Sequence, residues 1–327
     1  MHRHTRGPWY YRYHFLLIAV LCATPGCDDP VHRPLRVGLL VWPAYELYYL
    51  ADDMGIYPPE AIALLDFPSP AEAMRAFRTG NLDAVLLTQH FFMSLAAEDS
   101  AVIAVQVADI SSGADALLAH PDIAGLSDLA GRRIAVEKSP LGAYILRRVL
   151  ETAGLDMADI TPVSIDVAGH VDAYLSGRVD AVVTYEPHRS RLLDHGAVEL
   201  LSSTDLDMEI SDLLLVRRPL SERKTAALRT LIDGWFQARA YLKATPEAAI
   251  RRMAKRGVIR ADELAVGFAG MILPDTAKNR AMLGADSSAY IRGLRIQAER
   301  MHLWRLIEHR PELSGRLTPA YLPGSRP

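Results

Sequence analysis

One phrase occurs twice in the chain, 97 residues apart, and it limits the possible fold more than any other feature of the sequence. The first copy, AFRTGNLDAVLLTQ, occupies residues 76–89, and the second, AYLSGRVDAVVTYE, occupies residues 173–186. In each copy the aromatic residue can pack a helix on a sheet. The Gly permits the left-handed turn that ends a helix, and Asp then opens an apolar strand. The sequence therefore predicts one helix-to-strand unit of scaffold that is used twice.

The same offset relates other points of the chain. Arg36-Val37 aligns with Arg133-Ile134, Trp42-Pro43 aligns with Ser139-Pro140, and Ser69 aligns with Asp166. Short apolar runs, such as residues 35–42, alternate around these points with segments of helical periodicity that end at Gly. Strand-helix-strand alternation implies parallel strands with crossover helices. We therefore predict an α/β protein with two similar lobes, followed by a mostly helical segment over residues 221–306.

The two copies agree through the scaffold and differ where their strands end. Ligands of open parallel sheets bind beyond the carboxyl ends of the strands, so the residues at those ends are the candidates for ligand binding. They are Trp42, Tyr45, Ser69, Thr88 and Gln89 in the first round, and Lys138, Ser139, Asp166, Tyr185 and Glu186 in the second.

The residue types at these ends suggest what they could bind. The aromatic rings of Trp42 and Tyr45 could cover a flat or alkyl ligand, although Trp42 could equally pack between the lobes. Ser139 stands at a helix start, where backbone N–H groups favour anions, but it could be a plain N-cap. Lys138 would add a positive charge there. Glu186 has no predicted helix partner, so we expect it to accept hydrogen bonds from ligand N–H groups, or to form an interlobe salt bridge.

These candidates leave the ligand open. Asp166 and Glu186, with Asp212 as a weaker candidate, favour a ligand that carries N–H donors. Lys138 and the helix start at Ser139 favour an anionic or acceptor end. An aminopyrimidine suits the aromatic residues and Glu186, whereas taurine suits a cleft of mixed charge, and we favour the aminopyrimidine slightly.

Several functional classes find no support in the sequence. The net charge is −3 and basic residues are mixed with acidic ones, so nothing indicates binding to nucleic acid. We find no G-x-S-x-G elbow, phosphate-binding loop or H-E-x-x-H motif. His90 has no second His at metal-ligand spacing. We therefore expect a binding protein rather than an enzyme, with no metal and no cofactor.

The N-terminus has the pattern of a secretory signal. Three Arg residues precede FLLIAVLCA, residues 15–23, a run too short to span a bilayer and followed by small residues. The alternative is a buried N-terminal strand. Cys27 follows Gly26 in a sequence that resembles the lipid-attachment box of bacterial lipoproteins, although Thr24-Pro25 departs from it. We predict a signal peptide over residues 1–26 that is cleaved before Cys27, with or without lipid on that Cys.

Five segments together resemble a known family. They are VWPAYELYYLADDMGIY, SPAEAMRAFRTGNLDAVLLT, SSGADALLAH, LSDLAGRRIAVEKSPLGAYIL and VDAVVTYEP, and they span about residues 35–245. Their order and spacing resemble the nitrate/sulfonate/taurine and thiamine-pyrimidine group of periplasmic solute-binding proteins. The resemblance implies the two-lobed type II periplasmic-binding-protein fold with a ligand cleft between the lobes. It implies a first lobe of residues 34–112 and 213–310 and a second lobe of 113–212. The Pro and Gly content of residues 311–327 predicts a loose tail.

The resemblance also implies a function and partners. Ser111 and Ser112 would lie at the hinge and could reach the ligand. The protein would be exported, periplasmic or lipid-anchored in the inner membrane, and monomeric. It would deliver a small molecule to an ABC permease and its ATPase. Two alternatives stay open: an enzyme of thiamine-pyrimidine synthesis on the same fold, disfavoured because no Cys follows Cys27, and a ligand sensor.

Overall fold

The two copies of the repeated phrase lie in two different β-sheets of the computed structural model. The structure describes residues 33–206, 209–284 and 288–325, so the predicted signal peptide and Cys27 lie outside the described residues. Numbered in chain order, the first sheet contains β1 (Leu35–Leu39), β2 (Ile62–Asp66), β3 (Ala84–Thr88), β4 (Val102–Ser111), β10 (Ser211–Arg217) and β11 (Met271–Ile272). The second contains β5 (Asp115–Ala119), β6 (Arg133–Val136), β7 (Thr161–Ser164), β8 (Ala181–Tyr185) and β9 (Val198–Ser202). The predicted two-lobed α/β fold is confirmed.

Helices cover both sheets. They are α1 (Glu46–Asp53), α2 (Pro70–Arg78), α3 (Gln89–Glu98), α4 (Pro140–Ala153), α5 (His170–Leu175), α6 (His188–Asp194), α7 (Glu222–Ala244), α8 (Pro246–Ala254), α9 (Ala261–Ala269), α10 (Thr276–Leu283) and α11 (Ala289–Leu303). Ser69 and Ser139 cap α2 and α4 through their hydroxyls, and each is followed by Pro, which suits the first helical position. Among the described residues, no helix has the length and apolar character needed to cross a membrane.

The repeated phrase forms the same ion pair in both sheets. In the first, Arg36 Nε and Nη2 donate to Asp83 at 3.1 Å each, and Nη2 also donates to the carbonyl of the Gly in the phrase. In the second, Arg133 makes the equivalent bonds to Asp180 at 3.0 and 2.7 Å, and to the equivalent Gly. The Asp thus fastens the start of its strand to the neighbouring strand, which explains why the phrase recurs.

The chain crosses between the sheets twice. It leaves the first sheet after Ser111 and enters the second at Asp115, then returns between Ser202 and Ser211. The two crossings touch, because the Ser111 and Ser203 hydroxyls are 2.7 Å apart.

The entering strand and the returning strand occupy equivalent places. β5 runs antiparallel to β8 with Asp115 opposite Tyr185, and β10 runs antiparallel to β3 with Asp212 opposite Thr88. Thr88 and Tyr185 are the same position of the repeat. Two aspartates therefore stand at matching positions on the inner ends of the two sheets.

Residues 311–325, the described part of the C-terminal segment, pack on the protein, which corrects the prediction of a loose tail over 311–327. Leu313, Leu317 and Leu322 are at most 5% exposed. Ala104 of β4 donates to the carbonyl of Arg316 and accepts from the backbone N–H of Thr318. The Pro and Gly content suggested a loose segment, but its three spaced Leu side chains reach the core and hold it.

Candidate functional site

A small cavity lies between the two sheets, and residues of both lobes line it. Its volume is about 40 Å³, room for roughly three water-sized groups. Its lining consists of Leu40, Val41, Trp42, Pro70, Leu87, Thr88, Phe91, Asp115, Glu137, Leu141, Tyr185, Ile210 and Asp212. No Lys, Arg or His is part of this lining within the described ranges, whereas three carboxylates are.

Aromatic rings from the two lobes meet at the cavity. Trp42, three residues after the end of β1, and Tyr185, the last residue of β8, pack edge to face with ring centroids 5.8 Å apart. The indole Nε1 donates to Asp109 Oδ2 at 3.1 Å, which fixes the ring. Trp42 thus packs between the lobes, which was one of the two roles weighed from the sequence, and it also lines the cavity, so that ligand contact stays a prediction.

Asp109 and Asp212 form a buried acidic pair behind the indole. Their strands, β4 and β10, are neighbours in the sheet, and the two residues lie opposite each other. Burial and the adjacent Asp212 charge raise the pKa of Asp109 well above its usual range. Burial raises the pKa of Asp212 to about 7, while the Tyr45 hydroxyl and the Asp109 carboxyl, both donors, limit the rise. Of the two carboxyl groups, Asp212 is the one that lines the cavity, whereas Asp109 lies behind the indole.

Asp115 brings a buried carboxylate oxygen without a partner to the site. Its side chain is 3% exposed, and Oδ2 has no hydrogen-bond partner among the described residues. Burial raises its pKa to about 7, the Ser111 hydroxyl opposes that rise, and the charges of Asp212, Glu137 and Glu186 add to it. An unpaired buried carboxylate costs free energy, so this oxygen is available to a ligand.

Glu137 completes the acidic lining, and it sets the role of Ser139. The Ser139 hydroxyl donates to Glu137 Oε1 at 2.6 Å and accepts from the backbone N–H of Gly142 at 2.9 Å. A Cβ at Gly142 would come within 2.6 Å of the Glu137 carbonyl oxygen, so the helix start needs Gly there. Burial, and to a smaller extent the Asp166 charge, raise the pKa of Glu137. Ser139 is thus an N-cap beside a carboxylate.

The remaining predicted residues fall at several places. Thr88 lines the cavity and its Oγ1 has no partner among the described residues, whereas Tyr45 lies behind Asp212. The others lie away from the lining: Ser69 caps α2, Ser111 and Ser112 lie at the first crossing, Lys138 is exposed and borders a separate surface depression, and Asp166 is exposed.

The predictions for Glu186 and Gln89 need correction, because both side chains are hydrogen-bonded to neighbouring residues. Arg189 of α6 donates to Glu186 Oε1 at 3.0 Å, and the Ser190 hydroxyl donates to the same atom at 2.9 Å. The expectation that no helix residue neutralises this carboxylate is wrong. Gln89 begins a helix instead of ending a strand. Its amide is buried and hydrogen-bonded to Ser211 and to the carbonyl of Glu209.

Sequence reasoning did not single out Asp115 or Glu137, and it ranked Asp212 low. A usable signal was present, because Asp115 and Asp212 are each followed by a run of apolar strand residues, Ala-Leu-Leu and Leu-Leu-Leu. A carboxylate at the end of a buried strand is unusual and indicates a functional role. No group of three His, Cys, Asp or Glu in the described part of the chain could hold a metal ion.

Polar contacts join the two lobes outside the cavity. On one side, Glu209 of the second crossing accepts from Tyr144 and Arg148 of α4 and from Arg300 of α11, at 2.6, 2.9 and 3.0 Å. On the other, Arg191 of α6 pairs with the buried Glu263 of α9 at 2.7 Å. We call these two sets the rim contacts. They hold the lobes in the closed arrangement that encloses the cavity.

Comparisons with known proteins agree with this architecture. The sequence profile of the NMT1-like family matches residues 28–258. A protein of Escherichia coli K12 named for binding aliphatic sulfonates is 26% identical over 202 residues, which cover 61% of this chain and 63% of that protein. The match thus spans less than two thirds of that relative's length.

Two solved structures share the fold. The crystal structure of the periplasmic aliphatic sulphonate binding protein SsuA from Escherichia coli superposes with a TM-score of 0.72 and 22% identity, covering 88% of this chain and 98% of that chain. The desulfurization enzyme DSZB superposes with a TM-score of 0.64 and 15% identity, covering 88% and 97%. The architecture is therefore found in a binding protein and in an enzyme.

Proposed function

Because the chain belongs to the NMT1-like family, we propose that it is the extracytoplasmic solute-binding component of an ABC importer. The observation that supports this most is the cavity, which takes its lining from both lobes. A ligand held there is enclosed only when the lobes close on it. Its binding would shift the population toward the closed form, which a membrane permease can distinguish from the open one.

The proposal includes the route and the partners. A signal peptide over residues 1–26 directs export, and lipid on Cys27 anchors the protein at the membrane, where it meets a permease and its ATPase as a monomer. We place the lobes near the predicted boundaries, 34–112 with 213–310 and 113–212, but the first lobe resumes at Ser211 because β10 belongs to the first sheet. The hinge lies where Ser111 and Ser203 meet.

The ligand classes implied by the family are a thiamine-pyrimidine-like molecule and a sulfonate, taurine or nitrate. The relatives named for sulfonates support the second class. The aromatic pair Trp42 and Tyr185 supports a ligand with a flat or alkyl part, since both rings face the cavity. Asp115 supports a ligand with N–H donors.

An enzymatic role is the second candidate, because DSZB has the same fold. One experiment distinguishes an enzyme from a solute-binding protein. The purified protein is denatured, and the released small molecules are identified by mass spectrometry. They are then added back to fresh protein in a thermal-shift assay and recovered afterwards. A solute-binding protein returns the ligand unchanged and is stabilised by it, whereas chemical conversion of the ligand would contradict the proposal.

A further inference from the structure

We infer, on the premise of the proposed function, that the cavity takes the cationic end of a small organic solute. The group is a protonated amine or amidine whose N–H groups bind Asp115 and Asp212, and the site discriminates against sulfonate and nitrate.

The charge of the lining carries this inference. Asp115, Glu137 and Asp212 supply three carboxyl groups, each at most 7% exposed, and no basic side chain of the described residues lines the cavity. An anion placed here would meet like charges with little water to screen them. A cation would instead gain attraction that is stronger than in water.

The unpartnered oxygen of Asp115 supports a cationic ligand independently of the charge of the lining. Its Oδ2 is buried, lacks a partner among the described residues, and belongs to a residue that lines the cavity. The carboxylate of Glu186, on the same lobe, shows the alternative, because Arg189 and Ser190 occupy its oxygens. The fold thus satisfies one carboxylate internally and leaves the other for a donor that arrives from outside.

The symmetry of the site adds a second contact. Asp115 and Asp212 stand at matching positions of the two sheets, opposite Tyr185 and Thr88. One ammonium or amidinium between them would bind a carboxylate from each lobe, so closing the lobes and pairing the charge are one event. Trp42 and Tyr185 also line this space, and the face of an aromatic ring attracts a cation.

The volume restricts the group that is bound. A cavity of about 40 Å³ holds roughly three water-sized groups, which suits ethylammonium or acetamidinium. A longer tail would have to leave past the exposed side of Val41, which is 38% exposed.

The number of protons released or taken up on binding distinguishes a cationic ligand from an anionic one. Asp115 faces Asp212 of β10, Glu137 after β6 and Glu186 after β8, with the Ser111 hydroxyl close by, and burial raises the pKa of Asp115 and of Asp212 to about 7. Both groups are therefore partly protonated at neutral pH. A bound cation favours the ionised carboxylates and releases protons, whereas a bound sulfonate favours the protonated ones and takes protons up.

The experiment uses four small probes, two cations and two anions: ethylammonium, acetamidinium, ethanesulfonate and nitrate. Thermal shift at millimolar concentration ranks them. Calorimetry at pH 7 in two buffers of different ionisation enthalpy measures the protons exchanged. We expect both cations to stabilise the protein and to release protons.

Asp115→Asn should weaken cation binding by about 10- to 100-fold, because a charge-assisted hydrogen bond is lost. Asp172→Asn, at an exposed carboxylate of the same lobe, should leave it unchanged.

The outcomes separate this inference from the proposed function. Stabilisation by an anion with proton uptake overturns the inference and leaves a solute-binding protein. If no probe binds, the ligand carried by the purified protein decides: a cation supports the inference, and an anionic or uncharged ligand overturns it. If the protein carries no small molecule and binds no probe, both fail. The melting temperature of unliganded Asp115→Asn reports whether the variant folds.

Discussion

The two lobes are alike at the starts of their strands and different at the ends. At the starts, Arg36–Asp83 and Arg133–Asp180 repeat one another bond for bond. At the ends, one lobe offers Trp42 where the other offers Ser139, although both residues are extended and begin a helical turn. At the strand starts, these bonds pair backbone groups and charged side chains that every copy of the unit contains, so they recur in both copies. The ends face the other lobe, so each copy has acquired the side chain that its own side of the cavity requires.

One end position is charged in one lobe and neutral in the other, and its explanation is local. Gln89 and Glu186 are equivalent, and both are buried. Gln89 bonds to Ser211 and Glu209 of its surroundings, whereas Glu186 faces Arg189. The charge at this position therefore follows the neighbouring helix. The carboxylates available to a ligand, Asp115 and Asp212, lie at the starts of β5 and β10, the strands that follow the two crossings.

The largest expected effect concerns that available charge. In the folded protein the pKa of Asp115 lies at about 7, above the unfolded value of 3.8, so ionising it costs stability as pH rises from about 4 to 7. Without ligand, Asp115→Asn should equal wild type at pH 4 and exceed it at pH 8 by up to about 4 kcal/mol, at about 1.36 kcal/mol per pKa unit.

Urea unfolding of both proteins at several pH values measures this difference. Comparing the variant with wild type cancels the opposite slope of His90, whose pKa burial lowers to about 3. A pH-independent difference would mean that Asp115 is not the group that titrates.

The next effect tests whether the matched ion pairs are equal in energy. Asp83 is the more buried aspartate and also accepts from Lys224 at 2.7 Å, which has no counterpart on Asp180. Asp83→Ala should lower the free energy of unfolding by about 3 kcal/mol and Asp180→Ala by about 1 kcal/mol, since exposed pairs contribute less. Denaturant unfolding measures both losses. Equal losses would show that Lys224 contributes nothing.

A smaller change in stability tests whether Glu186 supports the fold or contacts the ligand. Glu186→Gln turns an amide N–H₂ toward donors on Arg189 and Ser190, so we expect a loss of about 2 kcal/mol in stability. Affinity for a bound cation should change less than threefold. Glu98→Gln, which breaks an exposed pair with Arg78, is the control and should cost little. A large loss of affinity in Glu186→Gln with normal stability would return Glu186 to the ligand site.

The sequence predicted the lobes because local signals and the repeat agreed. It grouped Trp42, Thr88 and Tyr185 for a sound reason, since strand ends meet at one edge, and all three line the cavity. It could not predict which way a polar side chain turns. Glu186 pairs with a residue three positions ahead, whereas Asp115, in a segment interpreted as hinge, enters the site through antiparallel pairing with Tyr185, 70 positions away. That pairing is a property of the assembled sheet.

The rim contacts have a consequence for how long a solute stays bound. Tyr144 and Arg148 on one side, and Arg191 on the other, must release Glu209 and Glu263 before the lobes can part. None of these residues lines the cavity, so on the proposed function their release adds one common step to the departure of every solute, beyond the contacts that the solute itself makes. Dwell time is then a property of the protein as much as of its cargo, and it shortens as salt screens the half-exposed Arg191. On the proposed function, a permease that displaced either carboxylate would release the bound solute without contacting it.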